Sequence, residues 1–194
     1  MFDVFGFYKF KKLTSFKKNK VLLQDLLIKK NVRGTIIIAN EGINATISGK
    51  PTDLRSTITK IKKILDFKKF DSENFSSSKF QPFHKPKVKI KKEVVPMGFI
   101  LTAKNKKINH IDPKKWNNLI NDKETLVLDS RKSFEYKVGT FKKSVNPDVD
   151  NFREFPKYLN KLKKTKPIAM FCTGGIRCET VSYTHLTLPT TPYV

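Results

Sequence analysis

The chain is poor in cysteine, with two among 194 residues, and in arginine, which accounts for five of its 40 basic residues. It has no apolar run near the roughly 20 residues that a bilayer-spanning helix needs, and no basic segment followed by an apolar one at its start. These scarcities argue against a disulfide framework, a membrane protein and a secreted precursor. We therefore expect a cytoplasmic protein whose thiols either carry chemistry or pack in a core.

Positive charge, by contrast, is abundant: the formal net charge is +23 at pH 7. Clustered cations pair with phosphates and release counterions, so the excess is compatible with a nucleic-acid partner. The preference for lysine over arginine, together with frequent Asn, Ile and Phe, is equally typical of an AT-rich genome. Charge alone therefore leaves the partner open.

Residues 1–100 alternate between strand-like and helix-like patterns. Strands are predicted at 4–10, 35–39, 45–48 and 87–92, and helices at 15–31 and after Pro51. The apolar helix faces comprise Leu22, Leu23, Leu26 and Leu27 in the first and Leu54, Ile58, Ile61 and Leu65 in the second. The order β-α-β-β-α-β predicts an α+β domain of the ferredoxin-like type.

The second half of the chain has the pattern of an α/β domain. Polar residues 101–110 predict a linker, and Asp112 followed by Pro113 is typical of a helix start. The segments TLVLDSR and PIAMFC are short apolar strands of the parallel type. Because α/β proteins place their sites at the carboxyl ends of such strands, we predict a domain over 111–179 with its site after PIAMFC.

The loop at that strand end, CTGGIRC, contains both cysteines, Cys172 and Cys178. Two adjacent glycines let successive N–H groups turn inward and form an anion-binding nest. With Arg177 beside it, such a nest would hold Cys172 as a thiolate, which is the nucleophile and the form that carries a persulfide. A buried turn with an inert cysteine is the alternative. The spacing of the cysteines argues against zinc, so we expect no metal.

The run AMFCTGGIRCE closely resembles the active-site loop of the rhodanese-related tRNA uridine hydroxylases, bacterial enzymes that form 5-hydroxyuridine at the wobble position. Four further blocks resemble this family in the same order: ANEGINATISG, FHKPKVKIKKEVVPMG, LDSRKSFEYKVGTFKKSVNP and FREFPKYL. The resemblance implies a ferredoxin-like (acylphosphatase-like) domain followed by a rhodanese-like domain. It also implies an oxygen-dependent hydroxylase with tRNA as partner, molecular oxygen as co-substrate, no other cofactor and no obligate protein partner.

The same resemblance makes Cys172 the catalytic cysteine. The active-site loop then comprises Thr173, Gly174, Gly175, Ile176, Arg177 and Cys178. Asp129 and Arg131 match the strand-end pair that supports this loop, and we expect Arg131 to pair with Glu135 beneath it. Cys178 either resolves an oxidised Cys172 or packs in the core.

RNA contact is expected from a basic segment that comprises Lys85, Lys87, Lys89, Lys91 and Lys92. Three of these lysines alternate along the predicted strand and so stand on one face, with Phe80 and Phe83 available for stacking. A solvated edge strand is the alternative reading. Two other functions stay open: a sulfurtransferase that carries a persulfide on Cys172, and a non-catalytic RNA-binding protein.

The last fifteen residues, TVSYTHLTLPTTPYV, change abruptly in composition. They contain no Asp, Glu, Lys or Arg, but five threonines and two prolines. Such a stretch forms helices poorly, and we interpret residues 180–194 as foreign to the protein. The rhodanese-like domain is then incomplete and lacks the helix that should follow its loop. On that interpretation we expect the chain to be inactive.

Overall fold

A computed structural model of the chain describes residues 1–98, 110–162 and 166–185, with the backbone alone for 182–185. The chain divides into two units, Met1–Val94 and Val95–Val194. The predicted linker at 101–110 lies outside the described residues except for His110. None of the helices in the described residues is long and apolar enough to span a membrane.

The first unit is a five-stranded sheet with two helices. Its elements in chain order are β1 (Phe2–Phe10), α1 (Phe16–Lys29), β2 (Arg33–Ala39), β3 (Gly42–Gly49), α2 (Pro51–Ile64), β4 (Ser72–Ser78) and β5 (Pro86–Ile90). The strand order is β4-β1-β3-β2-β5. Neighbouring strands are antiparallel except for β5, which runs parallel to β2. The first four strands have the ferredoxin-like arrangement.

The predicted fourth strand of this arrangement is wrong. The prediction placed it at 87–92, whereas the strand beside β1 is β4, and β5 is an additional strand at the opposite edge. β4 reads SENFSSS and is largely exposed, so it has no apolar alternation by which to recognise it. Backbone hydrogen bonds to β1 hold this strand in place, and such bonds cannot be recognised from the pattern of side chains.

One face of the sheet buries the core against α1 and α2. Phe5, Ile36 and Ile47 from the strands pack with Leu23 and Leu27 of α1 and with the apolar face of α2. The second helix agrees with its prediction, since Leu54, Ile58, Ile61 and Leu65 are all buried. In α1 the prediction fails for Leu22, which is 42% exposed and lies at the side of the buried stripe.

The turn between β2 and β3 depends on Gly42. This residue has φ +150°, and a Cβ atom added to it would overlap the carbonyl oxygen of Lys9 on the neighbouring strand. Beside it, the buried carboxylate of Glu41 accepts a 2.7 Å hydrogen bond from the backbone N–H of Val94. Glu41 and Gly42 therefore have a structural role: Gly42 lets the hairpin pack against β1, and Glu41 anchors the segment that follows β5.

We expect Gly42→Ala to lower the free energy of unfolding by about 2 kcal/mol. The added Cβ would push β1 and β3 apart, and alanine disfavours the backbone conformation at this position. The measurement is the shift of the urea-unfolding transition. Gly6→Ala is the matched control, since its added Cβ would lie 3.8 Å from the nearest atom, Thr46 Oγ1. Equal losses in the two variants would contradict the assignment.

The second unit pairs two parallel strands with short helices. Its elements are α3 (Pro113–Asn121), β6 (Leu126–Asp129), α4 (Ser133–Val138), a 3-10 turn (Phe152–Glu154), α5 (Phe155–Lys161), β7 (Ile168–Phe171) and α6 (Ile176–His185). β6 pairs with β7, and an isolated bridge joins Leu128 to Val145. As predicted, Asp112 caps α3, because its carboxylate accepts a 2.9 Å hydrogen bond from the Lys115 N–H.

The expectation that no helix follows the cysteine loop is wrong. α6 begins at Ile176 and continues through His185. Thr180 and Val181 are each 1% exposed, and the Thr180 hydroxyl donates 2.8 Å to the Ile176 carbonyl within the helix. Burial and this internal hydrogen bond outweigh a propensity cost of a few tenths of a kcal/mol per β-branched residue. Residues 186–194 lie outside the described part of the chain, and the foreign origin of residues 180–194 stays a prediction.

Candidate active site

The carboxyl ends of β6 and β7 bring the predicted site residues together. Asp129 is directly opposite Phe171 in the parallel register, and the Ser130 N–H donates to the Phe171 carbonyl at 3.0 Å. Cys172 follows β7 immediately, while Ser130 and Arg131 follow β6. Pairing of two strands whose opposite residues lie 42 positions apart in the chain therefore sets the thiol beside the Asp-Ser-Arg run.

Backbone N–H groups of the loop converge on the Cys172 sulfur. The Gly175 N–H donates to Sγ at 3.0 Å. Hydrogen bonds from the backbone of Cys178, Gly174 and Arg177 also act on this sulfur. Gly175 has φ +83°, a left-handed conformation that favours glycine. The predicted nest is thus present, and it closes around the sulfur itself.

These contacts lower the pKa of Cys172 to about 5. The largest contribution is the hydrogen bond from the Cys178 side chain; burial of Cys172 acts in the opposite direction, and the loop N–H groups add to the lowering. Each donor stabilises the charged form of the sulfur more than the neutral form. Cys172 is therefore a thiolate at pH 7.

Cys178 is the neutral partner of this pair. Its contact with Cys172 and its burial raise its pKa well above the ordinary value. Its sulfur lies 3.3 Å from Ser130 Oγ, and that hydroxyl lies 2.8 Å from the Phe171 carbonyl, to which it donates. Cys178 thus packs in the core and also acts on Cys172, while the resolving role stays a prediction. Ser130 was not among the predicted site residues, although its place between Asp129 and Arg131 at a strand end was a signal.

The predicted pairing of Arg131 with Glu135 is wrong. Arg131 Nε donates to Asp129 Oδ1 at 2.9 Å and its NH2 group donates to Oδ2 at 2.7 Å. The same NH2 group donates to the Gly139 carbonyl, and Thr140 Oγ1 donates to Asp129 Oδ2 at 2.9 Å. Asp129 is fully buried, so its charge requires the adjacent guanidinium, which is two residues away in the chain.

Glu135 instead binds the cysteine loop. It accepts hydrogen bonds from Arg177 NH1 at 3.0 Å and NH2 at 3.3 Å, and from Thr173 Oγ1 at 2.9 Å. The Lys132 N–H donates to the same carboxylate at 3.1 Å. Burial would raise the pKa of Glu135, but these hydrogen bonds outweigh it and hold the pKa below its usual value. The carboxylate therefore joins the first and fifth residues after Cys172.

The five predicted RNA-binding lysines are all exposed, but only two lie within a strand. Lys87 is opposite Thr35 and Lys89 is opposite Ile37 of β2. Both point away from the core, on the side opposite the buried Val88. Lys85, Lys91 and Lys92 flank β5, which is an edge strand, so the alternative reading of a solvated edge has support as well.

We expect alkylation of Cys172 by iodoacetamide to follow a titration with a midpoint at about pH 5, because the rate rises with the thiolate fraction. Cys178→Ala removes the strongest donor to the sulfur and should shift the midpoint upward. Cys172→Ser, which should not react, identifies the labelled residue. A native midpoint near the ordinary 9.0 would contradict the thiolate assignment.

Comparison with known proteins covers both units. Residues 2–94 match the UPF0176 acylphosphatase like domain, and residues 112–193 match the rhodanese-like domain, which confirms the predicted fold class. The tRNA uridine(34) hydroxylase of Pelagibacter ubique (strain HTCC1062) is 87% identical over 182 residues, covering 94% of this chain and 60% of that protein. That of Bartonella quintana (strain Toulouse) is 40% identical over 183 residues, covering 92% and 60%.

The chain thus spans about 60% of the length of these curated relatives. Among solved structures, the acylphosphatase from Bacillus subtilis aligns with 47% of this chain and 100% of its own, at 13% identity and a TM-score of 0.36. The domain assignment rests on the sequence matches and not on this likeness.

Proposed function

Because the chain belongs to the family whose curated members are named tRNA uridine(34) hydroxylase, we propose that it forms 5-hydroxyuridine at position 34 of tRNA in the cytoplasm. The observation that carries this proposal from the structure is the Cys172 thiolate, held in a nest of N–H groups where two parallel strands end. The helix α6 follows the loop directly, so a missing helix no longer argues for an inactive chain, while the incompleteness of the rhodanese-like domain stays a prediction.

Cys172 is the reactive sulfur in this proposal. A thiolate is a polarisable nucleophile, and at pH 7 the loop supplies it without a separate general base. Its donors are backbone groups and a neighbouring thiol, which are fixed before substrate arrives and need no reorganisation. The loop residues from Thr173 to Cys178 hold the sulfur, and Glu135 holds the loop, while Asp129 and Arg131 pair with each other at the end of β6.

Molecular oxygen is the proposed co-substrate, and this part of the proposal rests on the family resemblance. Within the described residues, no group of three or more His, Cys, Asp or Glu side chains could hold a metal ion. In this proposal the chemistry takes place at the cysteine loop.

We expect this chain, expressed in a bacterial strain that lacks its own tRNA uridine(34) hydroxylase, to restore 5-hydroxyuridine in tRNA. Cys172→Ser should abolish the modification, because serine is not ionised at pH 7. Mass spectrometry of tRNA nucleosides provides the readout. Glu124→Gln is the control, since this exposed residue pairs with Lys166 and should leave the modification unchanged. Persistence of 5-hydroxyuridine in Cys172→Ser, or its absence with the unaltered chain, would overturn the proposal.

For tRNA contact we propose the sheet face of the first unit that bears Lys87 and Lys89. Strand register and alternation place polar or basic residues on the same face: Arg33, Thr35, Asn44, Thr46 and Asn74. Thr46, Asn74, Lys87 and Lys89 are exposed. Lysine and arginine at the β2-β5 edge suit phosphates, and the hydroxyl and amide groups suit ribose and base edges.

We expect Lys87→Ala/Lys89→Ala to weaken binding of an anticodon stem-loop RNA by about tenfold and to reduce the salt dependence by about two counterions. Fluorescence anisotropy over a range of salt concentrations measures both. Lys60→Ala/Lys63→Ala is matched in charge and exposure but lies on α2, on the opposite side of the sheet. Similar losses in both double variants would show that net charge, not this face, governs RNA binding.

A second candidate function is persulfide transfer from Cys172. The same convergence of N–H groups that stabilises a thiolate would also stabilise the terminal sulfur of a persulfide. Retention of tRNA modification in the experiment above, with no sulfur bound to Cys172 in intact-protein mass spectrometry, would favour hydroxylation over sulfur transfer.

A further inference from the structure

Both arginines that the described residues place at the cysteine loop are held in ion pairs. Arg131 is bidentate to Asp129, and Arg177 binds both carboxylate oxygens of Glu135. These pairs are shielded from water, with 18% of the Arg131 side chain and 25% of the Arg177 side chain exposed. The two pairs add no net charge to the loop, so neither guanidinium acts there as an uncompensated cation.

Glu135 also fixes the direction in which Arg177 points. The carboxylate receives Thr173 Oγ1 from the start of the loop and Arg177 from its end, and the Lys132 N–H anchors it on α4. Both terminal nitrogens of Arg177 are engaged by Glu135. A bound oxyanion would have to compete with this carboxylate for the same guanidinium.

The backbone donors of the loop are engaged as well. The N–H groups that an oxyanion would otherwise recruit act on the Cys172 sulfur, as described for Gly174, Gly175 and Arg177. That sulfur is itself negative at pH 7 and repels a second anion. Side-chain and backbone groups therefore disfavour the same ligand class, a small free oxyanion.

We propose that Glu135 sets the specificity of the loop: by neutralising Arg177 it makes the Cys172 site a poor receptor for free oxyanions such as thiosulfate and favours an uncharged substrate group. That the uncharged group is a uracil base rests on the proposed function. The exclusion of oxyanions does not, because it follows from the contacts of Glu135 and of the loop N–H groups.

The reaction of Cys172 with thiosulfate, which the proposal says is disfavoured, can be measured as thiocyanate formation. When thiosulfate reacts, the Cys172 thiolate attacks the sulfane sulfur, the sulfur–sulfur bond of thiosulfate breaks, and sulfite leaves with the bonding pair. Cys172 then carries a persulfide. Cyanide attacks the terminal sulfur, forms thiocyanate and regenerates the thiolate, so atoms and charge balance without a further oxidant or reductant.

We expect the unaltered chain to form thiocyanate slowly, with a high KM for thiosulfate. Glu135→Gln keeps the size of the side chain and an acceptor for the Lys132 N–H, but it releases the charge of Arg177. This variant should lower the KM for thiosulfate by about tenfold, as expected when one buried charge loses its compensating partner. Glu124→Gln removes an exposed carboxylate and should change nothing.

Two further measurements keep the proposal testable if Glu135→Gln folds poorly. Adding Arg177→Gln to Glu135→Gln should remove the gain, because the released cation is gone. In the unaltered chain, millimolar sulfate should leave the iodoacetamide reaction of Cys172 unslowed. Protection by sulfate, a low KM for thiosulfate in the unaltered chain, or a folded Glu135→Gln without gain would overturn the proposal. None of these readouts involves tRNA, so they stand apart from the test of hydroxylation.

Discussion

The negative charge on the Cys172 sulfur is the constraint on which the second unit depends. A thiolate inside a protein needs several donors, and here they are the Gly175 N–H, other loop N–H groups and the Cys178 thiol. Placing these donors around one sulfur atom requires a left-handed glycine at 175 and a helix that begins at the next residue, so that residues 174–178 surround the sulfur. The conformation of the loop and the charge of the sulfur therefore stabilise each other.

Two carboxylates pair with the arginines near this loop. Asp129 fixes Arg131 and the turn at Gly139, while Glu135 joins Thr173 to Arg177. Asp129 and Arg131 are two residues apart at the end of β6, whereas Glu135 contacts residues 38 and 42 positions further along the chain, in the loop that follows β7. The cost of burying each carboxylate is offset because every one is met by a guanidinium and by additional donors. In the resulting site each arginine is paired with a carboxylate, and the N–H groups of the loop stabilise the negative charge of Cys172.

The first unit illustrates what a side-chain pattern can and cannot predict. Alternation and helical spacing identified β1, both helices and the β2-β3 hairpin, because each of these elements buries one face. β4 escaped detection because it is exposed and serine-rich, and its pairing with β1 is made by the backbone. In the second unit, the β-branched residues after Glu179 predicted that no helix forms there. The structure has the helix α6 at this place, and Thr180 and Val181 are buried within it.

The sequence by itself determined the place of the loop and its chemical type, since the glycine pair, the cysteine and the strand before it are local features. Only the tertiary structure decided the partners: Arg131 with Asp129, Glu135 with Arg177, and Cys178 with both Cys172 and Ser130. Local geometry follows from neighbouring residues, whereas the choice among several carboxylates and cations depends on strand register. That register brings residues about 40 positions apart within hydrogen-bond distance.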